Sequence, residues 1–217
     1  MRKAPGIVLL LFAFGPLSAQ PDVWDSWEES VVRRLNTASD TEYLNEEEKK
    51  VILFINMARY DGELFAETFL EAYLAEKNLG KNRYVRSLFR DLNNTSDLAP
   101  LEPERDLTAI AQEHAKSTGE SGRTGHGDFN GRFEPLLGNP YEGVAENLAY
   151  GHQRAIDVVI SLLIDEGIRD LGHRRNMLNP RFNAVGVAIR PHKSYRLSCV
   201  IDFGSLPRSE LNEVPYR

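Results

Sequence analysis

The chain has 217 residues, a formal net charge of −6 and one cysteine. Nucleic acid and anionic membrane both require a basic surface, so this acidic balance argues against either as a partner. One cysteine cannot form an intrachain disulfide, and a chain of this length can be stabilised by a hydrophobic core instead. No apolar run reaches the roughly 20 residues that cross a bilayer, so we expect no stable membrane anchor. The composition leaves the oligomeric state open.

Residues 1–19 have the pattern of a secretion signal. Arg2 and Lys3 give a positive start, the run 7–14 is apolar, and the small residue Ala19 precedes the expected cleavage point. The apolar run is too short for a transmembrane helix, and the alternative is an uncleaved amphipathic start. We therefore predict that the protein is exported, either to the extracellular space or to the periplasm.

Helices are predicted after an N-terminal extension that spans residues 20–43. Asn45 is a favourable N-cap residue. The glutamates that follow it would lie at the positive end of the helix dipole, and an apolar stripe at helical spacing comes next, so a helix is predicted to begin here. Gly62 ends this helix, and residues 63–77 have the pattern of a second one. A short helix is predicted around residues 86–92.

The next part of the chain contains two further helical patterns. Pro103 is expected to start a helix, and residues 155–164 have the apolar spacing of another. Residues 119–144 lie between them and are rich in glycine, which predicts a long functional loop.

A β-hairpin is predicted near the C-terminus. After Pro180 the apolar period changes from about 3.6 residues to about 2, and segments 183–190 and 195–203 alternate on either side of a polar turn. Helices followed by an antiparallel hairpin indicate an α+β domain. The residues expected on the buried face of the hairpin are Val185, Val187, Leu197, Cys199 and Ile201.

Three polar clusters interrupt this patterning. They are GHGD at residues 125–128, AENLAYG at 145–151 and GHRRNML at 172–178. Each places a histidine or a glutamate beside residues that let the backbone approach a ligand closely. Two imidazoles and a carboxylate are a common ligand set for Zn²⁺ and also a common acid–base set. On these residues alone, a histidine beside glycine in a loop is more often a surface residue than a ligand.

The third cluster resembles the CAP family, which is named after cysteine-rich secretory, antigen 5 and pathogenesis-related proteins. The run GHRRNMLNP at residues 172–180 is similar to the family's pattern. The resemblance continues at ENLAYG, at TGH (residues 124–126) and at residues 55–59 within the first predicted helix. More closely, the chain is similar to the cysteine-poor bacterial SCP-like extracellular proteins. We therefore expect a CAP domain over residues 44–206 and a tail over residues 207–217.

The resemblance implies an α-β-α sandwich, with a small antiparallel sheet between helices and a cleft lined by two histidines and two glutamates. The histidines would be His126 and His173, and one glutamate would be Glu146. The second would be Glu134 or Glu142, or neither. In relatives the histidine pair can bind Zn²⁺ or another divalent cation. We therefore predict His126 and His173 as metal ligands, and Glu146 and Glu134 as the candidate catalytic residues.

The two imidazoles are expected to face one cleft. A metal-bound histidine needs an acceptor that fixes its tautomer, so we expect Glu146 to be hydrogen-bonded on the His173 side, to the side chain or to the backbone of that residue. The first candidate function is a secreted protein that binds a divalent metal and an extracellular ligand, such as a small molecule, a lipid or sterol, or a peptide or protein. The alternative is a metal-dependent, peptidase-like hydrolase in which His126, Glu146 and His173 activate water. A third possibility is a structural surface protein with a vestigial cleft.

Other polar residues are assigned structural roles. His114 falls on the apolar stripe of its helix and is expected to be partly buried. Asn56 and Arg59 lie one helical turn apart and are expected to brace loops. His192 is expected in the hairpin turn, and Asp165 is expected to end the helix that precedes it.

Overall fold

The computed structural model describes residues 23–138 and 140–207. The predicted secretion signal and residues 208–217 of the predicted tail lie outside the described residues. No helix in the described ranges is long and apolar enough to cross a membrane. The helices are α1 (Glu29–Leu35), α2 (Glu46–Tyr60), α3 (Gly62–Phe65), α4 (Glu71–Glu76), α5 (Arg83–Asn93), α6 (Arg105–Ser121), α7 (Phe129–Phe133), α8 (Ala155–Ile164) and α9 (Gly172–Met177). The strands are β1 (Glu102–Pro103), β2 (Gly143–Tyr150), β3 (Ala184–His192) and β4 (Arg196–Ser205).

The four strands form one sheet in the order β1-β3-β4-β2. β3 pairs antiparallel with β4, and β4 pairs antiparallel with β2. The two-residue β1 pairs parallel with β3, so the sheet is mixed rather than wholly antiparallel. The strand β2 forms the edge opposite β1.

Helices cover both faces of this sheet. On one face, Ala111 and Ala115 of α6 pack against Leu148 of β2 and Val200 of β4. On the other face, apolar residues of α2 and α8 form the main core with side chains of β3 and β4. The α+β class and the predicted α-β-α sandwich are confirmed.

The predicted hairpin is confirmed by the pairing of β3 with β4. Val185, Val187 and Ile201 are fully buried, and Cys199 is buried on the same face. Leu197 is only half-buried, because it lies beside the turn at the start of β4.

The structure differs from the predicted element boundaries in three places. Residues 63–77 are not one uniform α-helix, because a π-helical segment, Ala66–Leu70, lies between α3 and α4. α6 begins at Arg105, because Pro103 lies in β1. Residues 119–144 are not all loop, because α7 lies within them and β2 begins at Gly143. The sequence gives no clear signal for β2, since polar residues at its centre interrupt the alternation that marks a strand with one buried face.

The predicted helix cap at Asn45 is confirmed and carries a second contact. Its side chain accepts from the Glu48 N–H, and the Glu48 carboxylate accepts from the Asn45 N–H at 2.8 Å. The buried Glu48 carboxylate also accepts from the Ile189 N–H at 2.8 Å and from Arg190 at 2.7 Å. The start of α2 is therefore joined to β3.

Two buried polar residues of α2 brace loops, as predicted. Asn56 donates to the Leu35 carbonyl at 3.0 Å and accepts from the Leu101 N–H at 2.8 Å. Arg59 is fully buried, and among the described residues it has no carboxylate partner. Its guanidinium instead donates to the carbonyl groups of Ala99, Met177, Asn179 and Phe182.

Replacing Gly186 with alanine should lower the free energy of unfolding by at least about 3 kcal/mol. A Cβ at this position in β3 would lie 2.2 Å from the Leu107 carbonyl carbon and 2.3 Å from the Thr108 nitrogen of α6. Because both atoms belong to the backbone, α6 would have to move away from the sheet. Urea unfolding followed by circular dichroism measures the change.

The matched control is alanine at Gly143, in β2 of the same sheet. A Cβ at Gly143 would meet no atom within 4 Å, so its effect should stay within about 1 kcal/mol. Equal effects at the two glycines would contradict the close approach of α6 to β3.

Cys199 should react slowly with a thiol reagent in the native protein and quickly in denaturant. Burial raises the pKa of the Cys199 thiol, which suppresses the reactive thiolate. Stoichiometric labelling of the native protein within the mixing time would contradict this placement.

Candidate functional site

Strand β2 has two polar residues at its centre, and their side chains leave opposite faces of the sheet. Glu146 pairs with Asp202 of β4 and shares a face with Leu148, which packs against α6. Asn147 pairs with Ile201, which belongs to the core on the face of α2 and α8. Successive residues of one strand therefore reach two separate environments.

On the α6 face, Glu146 is the centre of a charged hydrogen-bond cluster. His126 Nδ1 lies 2.8 Å from Glu146 Oε1. Arg132 of α7 donates to both oxygens of this carboxylate, at 2.8 and 3.0 Å, and to the His126 carbonyl at 2.7 Å. The Glu146 side chain has no exposed surface, whereas 51% of the His126 side chain is exposed. The cluster joins a buried carboxylate to an imidazole that reaches solvent.

Glu146 is ionised in this cluster. Burial alone would raise its pKa, but hydrogen bonds from His126 and Arg132 and the charge of Arg132 outweigh burial, so the pKa is lowered. A carboxylate can only accept hydrogen bonds, which places a proton on His126 Nδ1. In the neutral imidazole, Nε2 then has a free lone pair.

Side chains from three elements hold the loop that leads to the first histidine. His114 of α6 donates from Nε2 to the Gly125 carbonyl at 3.1 Å, and the Gly125 N–H donates to the Tyr150 hydroxyl at 3.0 Å. His192 Nε2 lies 2.9 Å from the Arg123 carbonyl. Burial lowers the pKa of His114, which supports its predicted structural role. His192 is buried at the end of β3 rather than placed in the turn.

His173 lies in the first turn of α9 and contacts Asp165, the residue that ends α8. His173 Nδ1 lies 2.7 Å from Asp165 Oδ1, and the His173 N–H donates to Asp165 Oδ2 at 3.0 Å. Asn147 donates from its side chain to the His173 carbonyl at 2.9 Å. Asp165 therefore fixes the ring of His173 as Glu146 fixes the ring of His126.

This pairing corrects one expectation. Glu146 was expected on the His173 side, but its carboxylate contacts His126, and the carboxylate beside His173 is Asp165. The physical reason is the alternation of β2. Glu146 projects toward α6, whereas α9 contacts the strand through the next residue, Asn147.

Two of the candidate glutamates lie away from these contacts. Glu134 is exposed at the end of α7, and Glu142 is exposed just before β2. Within the described ranges, neither has a hydrogen bond or ion pair with a histidine. Arg132 belongs to no sequence motif and was not predicted, and Asp165 was expected only to end a helix. Asp165 does end α8, with a left-handed backbone at φ 56°.

The donor set around the two histidines fits a metal ion only in part. Both rings have Nδ1 beside a carboxylate, which is the arrangement typical of metal-bound histidine. Among the described residues, however, no three His, Cys, Asp or Glu side chains are grouped so that they could hold a metal ion. The donors that fit are therefore Nε2 of His126 and Nε2 of His173, and the described residues supply no third ligand beside them.

Asp202 adds a second buried carboxyl group beside Glu146. It is completely buried, and among the described residues neither of its oxygens has a hydrogen-bond partner. Burial and the neighbouring Glu146 carboxylate raise the Asp202 pKa well above its ordinary value. A protonated Asp202 can donate a hydrogen bond to Glu146, whereas an ionised one would repel it.

Replacing Asp202 with asparagine should make the protein more stable than wild type at neutral pH. An aspartate in the unfolded chain ionises near pH ~3.9, whereas folded Asp202 keeps its proton to higher pH. Its raised pKa therefore stabilises the fold at low pH, and this contribution is lost as pH rises. In urea unfolding between about pH 4 and about pH 8, the free energy of unfolding of D202N should exceed that of wild type by an amount that grows with pH.

Ser198→Ala is the control for this measurement. Ser198 lies on the same face of β4, is buried and has no hydrogen-bond partner for its hydroxyl among the described residues. It does not ionise in this range, so its stability difference from wild type should not change with pH. If the stability difference between D202N and wild type were also independent of pH, the raised pKa of Asp202 would be contradicted.

Three solved structures are similar to this chain. An outer surface protein of Borrelia burgdorferi is 20% identical, with a TM-score of 0.43, over 59% of this chain and 97% of its own. An extracellular SCP-domain protein of Bacillus anthracis is 21% identical, with a TM-score of 0.41, over 55% of this chain and 39% of its own. Venom allergen-like protein 4 of Schistosoma mansoni is 14% identical, with a TM-score of 0.47, over 80% of this chain and 96% of its own.

No curated protein matches the chain. The family model of CAP, the cysteine-rich secretory protein family, matches residues 55–203. This match covers more than half of the chain and includes α6, the sheet and both histidine clusters. The chain belongs to the CAP family.

Proposed function

We propose that this is an exported CAP-domain protein that binds a divalent metal ion, with zinc as the first candidate, through His126 and His173. The observation that carries the proposal is the carboxylate at Nδ1 of each ring, 2.8 Å away for His126 and 2.7 Å for His173. Such a contact fixes the tautomer and leaves Nε2 free to bind metal.

The accessibility of the rings supports this role. The exposed fraction of the side chain is 51% for His126 and 23% for His173, so an ion from solvent can reach both. Neutral imidazole is a preferred ligand of Zn²⁺. Two protein ligands leave coordination positions for an extracellular ligand, whether a small molecule, a lipid or a protein. A bound ion would supply Lewis acidity to that ligand.

Export is supported by the signal pattern of residues 1–19 and by the family. Similar proteins include an outer surface protein and an extracellular protein of bacteria. These observations favour a role outside the cytoplasm, where the ligand would also be found.

The burial and hydrogen bonds of the Glu146 carboxylate favour ligand binding without catalysis over hydrolysis. A general base needs a free carboxylate oxygen within reach of water. Both Glu146 oxygens accept from Arg132, one of them also from His126, and the side chain has no exposed surface. Glu134, the other candidate base, is exposed at the end of α7 and bonded to neither histidine among the described residues.

Replacing both His126 and His173 with alanine should abolish zinc binding, as measured by isothermal titration calorimetry. Each single replacement should weaken binding at least tenfold, because one of two ligands is lost. Asp165→Asn should weaken it about 10- to 100-fold, because the carboxylate that orients His173 is lost. Wild-type binding should also weaken as pH falls through about 6.5, the ordinary value for histidine side chains, because a protonated imidazole cannot bind metal.

His152→Ala is the control, because His152 follows β2 and, among the described residues, has no hydrogen bond or ion pair with either cluster. It should retain wild-type zinc affinity, and all variants should keep the wild-type far-UV circular dichroism spectrum. Zinc affinity that survives the double replacement would reject the site.

A further inference from the structure

The edge strand β2 presents unpaired main-chain groups at its beginning. The Gly151 N–H donates to the Leu197 carbonyl at 2.9 Å, which sets the hydrogen-bond register between β2 and β4. In an antiparallel pair the bonding residues alternate, so odd-numbered residues of β2 bond to β4. The N–H and C=O of even-numbered residues, including Val144, point away from the sheet.

The burial of β2 decides which part of this edge is accessible. Glu146 and Asn147 are buried at the centre of the strand, whereas Gly143 and Val144 are partly exposed. Within residues 23–138 and 140–207, no hydrogen bond from a loop, a helix or a side chain reaches the outward N–H or C=O of Val144. One short stretch of sheet edge is therefore open.

This open edge lines a cavity of about 740 Å³. Its volume is within the range of ligand-binding pockets, roughly 300–1,000 Å³. Glu142 and Arg181 both line it, both are exposed, and in the described part of the chain neither side chain has an ion pair or hydrogen bond. The cavity therefore combines a free main-chain edge with one unpaired carboxylate and one unpaired guanidinium.

The walls of the cavity are held in place before any ligand arrives. Arg59 donates to the Asn179 carbonyl at 2.9 Å and to the Phe182 carbonyl at 2.8 Å, and both of those residues line the cavity. The Asn183 side chain binds the Leu206 N–H at 2.8 Å and the Leu206 carbonyl at 3.0 Å. A rigid wall lowers the entropic cost of binding.

We propose that this cavity binds an extended peptide segment from another protein, which pairs with Val144 as a short additional strand. A peptide backbone supplies both the acceptor and the donor that Val144 lacks, which is the chemistry of β-strand addition. Acidic and basic side chains of the same peptide would pair with Arg181 and Glu142. A lipid chain could satisfy none of these groups. The site is separate from the histidine clusters and does not depend on metal.

Two probe peptides test the proposal: acetyl-Arg-Val-Thr-Val-Glu-amide and acetyl-Glu-Val-Thr-Val-Arg-amide. On titration into ¹⁵N-labelled protein, one of them should bind better and shift the Val144 amide resonance. The double variant Glu142→Arg with Arg181→Glu should reverse the preference between the two peptides. No shift at Val144 with either peptide at millimolar concentration would overturn the proposal, as would an unchanged preference.

Main-chain pairing is tested by Val144→Pro against Val144→Ala. Proline removes the outward N–H but leaves the ladder to β4, because odd-numbered residues make those bonds. We expect at least tenfold weaker peptide binding for V144P than for V144A, with both variants folded by circular dichroism. Equal binding by the two variants would show that the peptide does not pair with the edge.

Amide exchange of Val144 in the free protein distinguishes other occupants of the cavity. Fast exchange at every protein concentration is expected if the edge is open. Slow exchange at all concentrations would mean that the chain covers its own edge, and slow exchange only at high concentration would mean pairing with a second copy. Either result would overturn the proposal.

Discussion

The fold depends on the buried charge of Arg59. Its guanidinium donates to main-chain carbonyls before β1, at the end of α9 and before β3, so one side chain of α2 joins three segments that are distant in sequence. Burial lowers the Arg59 pKa to about 10, and carbonyl dipoles stabilise the charge in place of a carboxylate. Without Arg59 the loop between α9 and β3 would lose two of its hydrogen bonds, and the end of α9 would lose its hydrogen bond from α2.

A few hydrogen bonds to buried carboxylates also fix the positions of both histidines. α9 is short and its first turn is anchored by Asp165, while the loop before α7 is anchored by Glu146 and Arg132. Each histidine therefore lies in a segment with little regular structure of its own, and a buried carboxylate supplies the rigidity. In a segment with little regular secondary structure, a strong charged hydrogen bond can hold an exposed side chain in a fixed orientation.

Periodicity and capping in the sequence predict most of the framework. The cap at Asn45, the helix at 155–164 and the hairpin follow from local rules and are confirmed. Strand β2 was not predicted, because its two central polar residues interrupt the alternation of apolar and polar residues that marks a strand. The partners of the histidines could not be assigned either, because which face Glu146 occupies depends on the pairing with β4, a contact between residues far apart in sequence. Arg132 has no sequence signal, since its role arises only when α7 packs beside β2.

Glu146 and Asn147 are neighbours on β2 and project to opposite faces of the sheet. The environment of each side chain therefore depends on the register between β2 and β4. A slip of one residue against β4 would exchange the two faces, so that a carboxylate would enter the core of α2 and α8 and an amide would face Arg132. His126 would then lose its carboxylate partner, whereas His173 would keep Asp165 and lose only the hydrogen bond from Asn147 to its carbonyl. The register of β2 therefore controls the carboxylate of one histidine and only a main-chain contact of the other.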